Sequence, residues 1–143
     1  MNPDLKFTRL FSAIRNISKK LSDNGLKEMN LTSSQMNILF YICTNNNSEI
    51  NQKDIEKDLY LKNSTVTEIL KRLENNGFLY RTASEKDGRY KKIVLTEKGK
   101  NIYDEMHKKA LIFETKFTQG MTKGESEILF ELLQKVMTNL SKE

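Results

Sequence analysis

The sequence predicts a mainly α protein with one small β-hairpin, in the order four helices, hairpin, two helices. Two observations predict it. Apolar residues recur at spacings of three and four over six separate stretches. Only Phe78-Leu79-Tyr80-Arg81-Thr82 and the run from Arg89 to Leu95 have strand composition, and residues 83–88 between them have turn composition.

Leu5, Leu10, Phe11, Ile14, Ile17 and Leu21 mark one stripe of a first helix from about Leu5 to Asp23, with Gly25 ending it. Thr32 or Ser33 caps a second helix whose apolar face is Met36, Leu39, Phe40 and Cys43, and Asn45-Asn46-Asn47-Ser48 follows as a polar turn. Asn51, with Asp54 three positions on, caps a short third helix that buries Ile55 and Leu59, before Leu61-Lys62-Asn63 turns the chain. The fourth helix, Ser64 to Asn76, carries Val66, Ile69, Leu70 and Leu73 on one face and stops at Asn76-Gly77. After the hairpin, Thr96 caps a long helix through about Phe117 with Ile102, Met106, Ala110, Leu111 and Phe113 inside. Gly120 to Gly124 breaks the chain, and Ile128, Leu129, Leu132, Leu133, Val136, Met137 and Leu140 line the last helix.

Composition narrows the function. The 143 residues are 37% hydrophobic and 30% charged, too apolar for disorder and too polar for a membrane protein. No apolar run approaches the roughly 18 residues of a spanning helix. Met1 to Leu10 carries Asp4 and Lys6 where a signal peptide has an apolar stretch, so a cytoplasmic protein with no membrane partner is expected. Cys43 is the only cysteine and His107 the only histidine, which removes internal disulfides, thiolate metal clusters, most zinc arrangements and the base of a catalytic triad. No enzyme activity, metal or cofactor is expected. The net charge of +5 is uneven: +2 over residues 1–50, +4 over 51–100 and −1 over 101–143. An excess in the middle third suits a polyanion partner, although its size is ordinary.

The segment from about Thr32 to Leu95 has the arrangement of a helix-turn-helix followed by a wing. Three regions follow: an N-terminal helix over 1–30, the central lobe over 31–97 and C-terminal helices over 98–143. The outer helices have wide apolar stripes and little nearby in sequence to cover them, so they need a partner surface. In such a lobe the second helix of the pair buries one face and offers short polar and cationic side chains to base edges and phosphates in the major groove. At 100° per residue, Ser64, Glu68, Lys71 and Asn75 lie opposite the apolar face, with Thr65, Thr67 and Arg72 on its flanks. Glu68 is repelled by phosphate unless it accepts from a cytosine amino group or pairs with Lys71 or Arg72.

Any surface helix has a polar outer face, so the hairpin decides. Arg81, Lys86, Arg89, Lys91 and Lys92 stand against Glu85 and Asp87 within twelve residues of a projecting ribbon. A tip arginine suits a narrow minor groove, and Asp87 is close enough in sequence to hold and orient Arg89. Arg89 and Lys91 therefore join the candidate DNA-binding residues, with Asp87 as the residue that orients the wing arginine. Two rivals stand beside double-stranded DNA binding: a winged-helix module that binds protein, with its basic wing solvated, and a thiol enzyme using Cys43.

The stretch from Leu31 to Gly99 also resembles the MarR family of winged helix-turn-helix transcriptional regulators. The matching pieces run in order: Leu31-Thr32 with Gln35 and Leu39; Asn51-Gln52-Lys53-Asp54-Ile55; Ser64-Thr65-Val66-Thr67 with Leu73-Glu74 and Gly77-Phe78-Leu79; Arg81; Asp87-Gly88-Arg89; Val94-Leu95-Thr96 with Lys98-Gly99. The resemblance implies a homodimer whose N- and C-terminal dimerisation helices interlock. It implies two recognition helices in successive major grooves, with Arg89 as wing-tip arginine and Asp87 as its partner. It implies a regulator, expected to be a repressor of a near-palindromic operator, that a small-molecule effector or an oxidant releases. Phe7, Phe11, Phe40, Tyr41, Phe113 and Phe117 are the aromatic candidates for an effector cleft, each equally at home in a core. Peroxide-sensing members keep their cysteine in the first helix, whereas Cys43 sits in the second. It is expected to be a small buried hydrophobe, and His107 a surface residue.

Overall fold

The computed structural model describes residues 3–45 and 47–142. Met1, Asn2, Glu143 and Asn46 of the expected polar turn lie outside the described residues. The elements are α1 (Lys6–Leu26), α2 (Ser33–Thr44), α3 (Gln52–Asp58), α4 (Asn63–Asn75), β1 (Leu79–Ala83), β2 (Lys91–Leu95), α5 (Glu97–Glu114) and α6 (Lys123–Leu140). Short 3-10 turns fall at Pro3–Leu5, Lys27–Met29 and Thr115–Phe117. The mainly α architecture with a two-stranded hairpin is as expected.

Local capping explains most boundaries. Thr32, not Ser33, caps α2: its hydroxyl accepts from the Gln35 amide at 3.2 Å, and the Gln35 side chain accepts from the Thr32 amide at 3.0 Å. The Ser33 amide instead donates to Asp23 Oδ1 at 2.7 Å, tying α1 to α2. Asn51 and Asp54 form the same reciprocal box at the start of α3, with bonds of 3.1 and 2.9 Å. The α4 helix ends at Gly77, whose φ of 77° is the left-handed stop expected there.

Several boundaries differ from the expectation: α4 starts at Asn63, within the expected turn, the first strand starts after Phe78, α5 gives way to a 3-10 turn after Glu114, and Gly124 lies inside α6. The first helix passes through Gly25 to Leu26, because the left-handed residue that stops this region is Asn30, at φ 55°, and buried Leu26 anchors the end. Tyr60, at φ 54°, rather than Leu61-Lys62-Asn63 alone, supplies the sharp step between α3 and α4. Arg89 and Tyr90 lie in the loop between the strands, since pairing runs only from Leu79↔Leu95 to Ala83↔Lys91.

The core gathers Ile38, Leu39, Ile55, Val66, Leu70, Leu73, Leu79 and Met106, all essentially inaccessible to solvent. Each such side chain contributes about 1.5–3 kcal/mol of burial. In α2 the buried residues include Ile38 and Ile42, whereas Phe40 and Cys43 are only half-buried. The apolar run there is too dense for a single stripe. The hairpin is tied to the helices by the Ile93 amide, which donates to the Ile50 carbonyl at 2.8 Å. At its foot, Thr96 Oγ1 donates to the Gly77 carbonyl at 2.6 Å, and Gly99 packs so closely that any Cβ would collide with the Phe78 carbonyl.

The chain divides into two units, the first ending at His107 and the second beginning at Lys108. In the first, the apolar stripe of α1 stays open: Phe7, Leu10, Ile14, Ile17 and Leu21 are exposed. In the second, Thr122 and Glu125 cap α6, none of whose side chains is buried, and Phe113 packs edge to face on Phe117 at 5.3 Å. Leu111, expected inside, is exposed, as are Ile128, Leu132, Leu133, Met137 and Leu140. No helix among the described residues is long and apolar enough to cross a membrane.

Candidate nucleic-acid interface

The α3–α4 pair sets the geometry of the site. Val66, Leu70 and Leu73 fix the inner face of α4 in the core, which leaves Ser64, Thr65, Thr67, Glu68, Lys71, Arg72 and Asn75 exposed along its outer side. Gln52, at the start of α3, donates from Nε2 to Thr67 Oγ1 at 2.7 Å and thereby locks the two helices near the α4 N-terminus. The carboxylate of Glu68 takes the Arg72 guanidinium at 2.6 Å, one helical turn on. That pair offsets the repulsion that Glu68 alone would offer to phosphate. Lys71 remains an exposed cation on the same face.

At the wing tip Asp87 grips Arg89 three ways. Its carboxylate accepts from the Arg89 amide at 3.0 Å, from Nε at 3.1 and 3.2 Å, and from Nη2 at 2.7 Å. These bonds hold the Asp87 carboxyl below its ordinary pKa and raise that of Arg89, so the pair is ionised at neutral pH. The Arg89 side chain is nonetheless 81% exposed. It is oriented without being covered, over the Tyr90 ring at 5.7 Å. Lys91, at the start of β2, is also exposed.

The five wing cations do not form one outward patch. Arg81 turns back onto Glu74 of α4, and Lys92 lies between Glu49 at 3.8 Å and Glu85 at 3.4 Å. Both therefore serve the wing's own structure, while Arg89, Lys91 and Lys86 face solvent. Glu49 carries no signal in the sequence, and Gln52 and Glu74 stand there only as pieces of the family resemblance without a role, because their partners are 7 to 36 residues away and no local spacing signals them.

A cleft of about 770 Å³ opens beside the hairpin, lined by Ile42, Cys43, Ile93, Tyr103 and the lysines Lys86, Lys92 and Lys100 among others. None of Phe7, Phe11, Phe40, Tyr41, Phe113 and Phe117 is among the residues that line this cleft. Phe40 packs edge-on against Tyr103 at 5.4 Å, Tyr41 donates to Asp58 Oδ2 at 2.7 Å, and Phe7 and Phe11 belong to the α1 helix away from the lining. Burial, followed by the Asp58 bond, drives the Tyr41 phenol pKa well above its usual value. Burial, reinforced by Asp104, pushes the Cys43 thiol up to about 11. Exposed His107 stacks on Tyr103 at 5.4 Å. Among the described residues no group of three or more histidines, cysteines and carboxylates is placed to hold a metal ion.

Comparison with known proteins agrees with this geometry. Residues 20–106 match the family described as transcriptional regulator SarA/Rot. The HTH-type transcriptional regulator SarZ of Staphylococcus epidermidis is 33% identical over 125 residues, covering 87% of this chain and 80% of that protein. The crystal structure of the transcription regulator MarR from Oenococcus oeni superposes with a TM-score of 0.80 at 31% identity, over 92% of this chain and 98% of that one. The crystal structure of the S. aureus MepR–DNA complex gives a TM-score of 0.89 at 26% identity, over 94% and 98%. A winged helix-turn-helix lobe with an exposed polar helix, a clamped tip arginine and these relatives has one assignment: the chain belongs to the MarR/SarA type of transcriptional regulators.

Proposed function

We propose that the protein is a homodimeric, sequence-specific DNA-binding repressor that acts in the cytoplasm on a near-palindromic operator with half-sites about one helical turn apart. The observation that carries this reading is the pairing of an outward polar α4 with Arg89, exposed yet fixed by Asp87. Ser64, Thr65 and Thr67 at the α4 N-terminus suit close approach to the phosphate backbone, where free amides and the helix dipole favour anions. Lys71, Arg72 and Asn75 continue that face. Glu68 keeps Arg72 in place or accepts from a cytosine. Arg89 enters a flanking minor groove, and Lys91 meets its phosphates.

The open stripes of α1 and α6 favour a second copy of the chain as partner, with residues 1–30 and 98–143 supplying the dimer contacts and 31–97 the DNA-binding lobe. A small-molecule effector has a place in the cleft beside the hairpin, where Lys86, Lys92 and Lys100 line an apolar floor together with the carboxylates of Glu49 and Asp104. The protein-binding alternative has no use for the Asp87–Arg89 clamp. The family assignment and the raised pKa of Cys43 both weigh against an enzyme using that thiol.

Selection of bound duplexes from a random DNA pool tests the reading. Enrichment of an inverted repeat with centres about 10 base pairs apart is expected. A pool that stays random, or an enriched site without two-fold symmetry, would overturn it.

A further inference from the structure

Glu49 lies in the loop between α2 and α3, 35 residues before Ser84, yet it organises the base of the wing. Its Oε2 accepts the Ser84 hydroxyl at 2.7 Å, and its Oε1 accepts the Glu85 amide at 3.0 Å. Lys92 adds a positive charge 3.8 Å from Oε1. A carboxylate only accepts, so the Ser84 proton must point at Glu49. Both lone pairs of Ser84 Oγ are then free, and they take the amides of Lys86 at 3.2 Å and Asp87 at 3.1 Å. Asp87 in turn clamps Arg89. The bonds form one polarised relay: carboxylate, hydroxyl, amide, carboxylate, guanidinium.

We infer that Glu49 is the positioning residue of the wing, fixing through Ser84 the loop that aims Arg89 at DNA. The inference rests on the DNA-binding reading above. The Ser84 and Glu85 bonds also keep the Glu49 carboxyl below its ordinary pKa, so the acceptor form that the relay needs persists at neutral pH. Glu49 and Ser84 are each half-buried, so water competes poorly for these bonds.

Glu49→Gln is the sharpest probe, because it keeps the shape but turns one of the two acceptors into a donor facing another donor. Anisotropy titrations of the full-length dimer with its selected duplex should compare wild type, E49Q, R89A and the double variant. E49Q is expected to weaken binding about tenfold in the wild-type background and less than about twofold once Arg89 is gone. Ser84→Ala, which removes the hydroxyl between the two carboxylates, should show the same dependence on Arg89. It serves in its place if E49Q does not fold. An equal loss in both backgrounds marks a merely structural residue and overturns the inference, as does no loss where R89A alone weakens binding. Amide exchange separates the relay from the DNA reading: E49Q should speed exchange at Lys86 and Asp87 while leaving α4 unchanged. If neither wild type nor R89A binds DNA, the function is wrong, and unchanged exchange at those two amides would dispose of the relay as well.

Discussion

Arg81 of β1 reaches across to Glu74 of α4, with Nε at 3.2 Å and Nη2 at 2.8 Å from the same carboxylate oxygen. The contact joins the wing strand to α4, and Arg81, through the side-chain bond first, holds the Glu74 carboxyl below its ordinary pKa. Both side chains are about one-third exposed, which limits the stability to be expected from the pair. Arg81→Gln should cost about 1 kcal/mol or less in chemical denaturation. Its larger effect should fall on DNA affinity, because the relative placement of α4 and the wing is what the pair fixes. Loss of stability without loss of affinity would contradict this role.

Arg89→Ala should weaken operator binding about tenfold or more and leave the dimer intact by sedimentation. Asp87→Asn keeps the guanidinium but removes its charged clamp, so a smaller loss is expected. Unchanged affinity in R89A would remove the wing from the interface.

Gly99→Ala should destabilise the fold by about 2 kcal/mol or more, seen as a fall in Tm of about 5 °C, since the added methyl meets the Phe78 carbonyl at the foot of the hairpin. Backbone cannot move aside as a side-chain tip can. A variant as stable as wild type would mean that α5 and the hairpin are not held at this distance in solution.

Leu132→Asp places a charge on the open stripe of α6, where the wild-type side chain is 51% exposed in a single chain. If a second copy covers that stripe, the variant should sediment as monomer, or unfold, at low micromolar concentration. A stable dimer would exclude Leu132 from the interface.

Cys43, with its thiol pKa raised to about 11, should react with a thiol reagent at pH 8 more than about tenfold more slowly than a free cysteine. The sign follows from burial, which disfavours the thiolate, so the rate should still be climbing with pH above 9. Rapid modification at neutral pH would revive the thiol-enzyme reading and would also favour an oxidant-sensing regulator.

What the sequence revealed about this protein was short-range. The Asn51–Asp54 cap, the outer face of α4 and the Asp87–Arg89 clamp all span two to eleven residues, so spacing alone displays them. The helix-stopping Asn30 was hidden by a nearby glycine that offers the same conformational freedom but does not use it. The roles of Glu49 and Glu74 were invisible because folding, not spacing, brings them to Ser84 and Arg81. The counted wing charge was correspondingly misleading: two of its five cations are spent inside the lobe. For α1 and α6 the apolar stripes were plain, whereas what covers them is written in neither helix.

The most direct test titrates the selected duplex and a scrambled duplex of equal length with the protein at several salt concentrations. Nanomolar affinity for the selected site, at least about a thousandfold preference over the scrambled one, two chains per duplex and a steep fall with salt are predicted. Equal affinity for both duplexes, or one chain per site, would contradict the account.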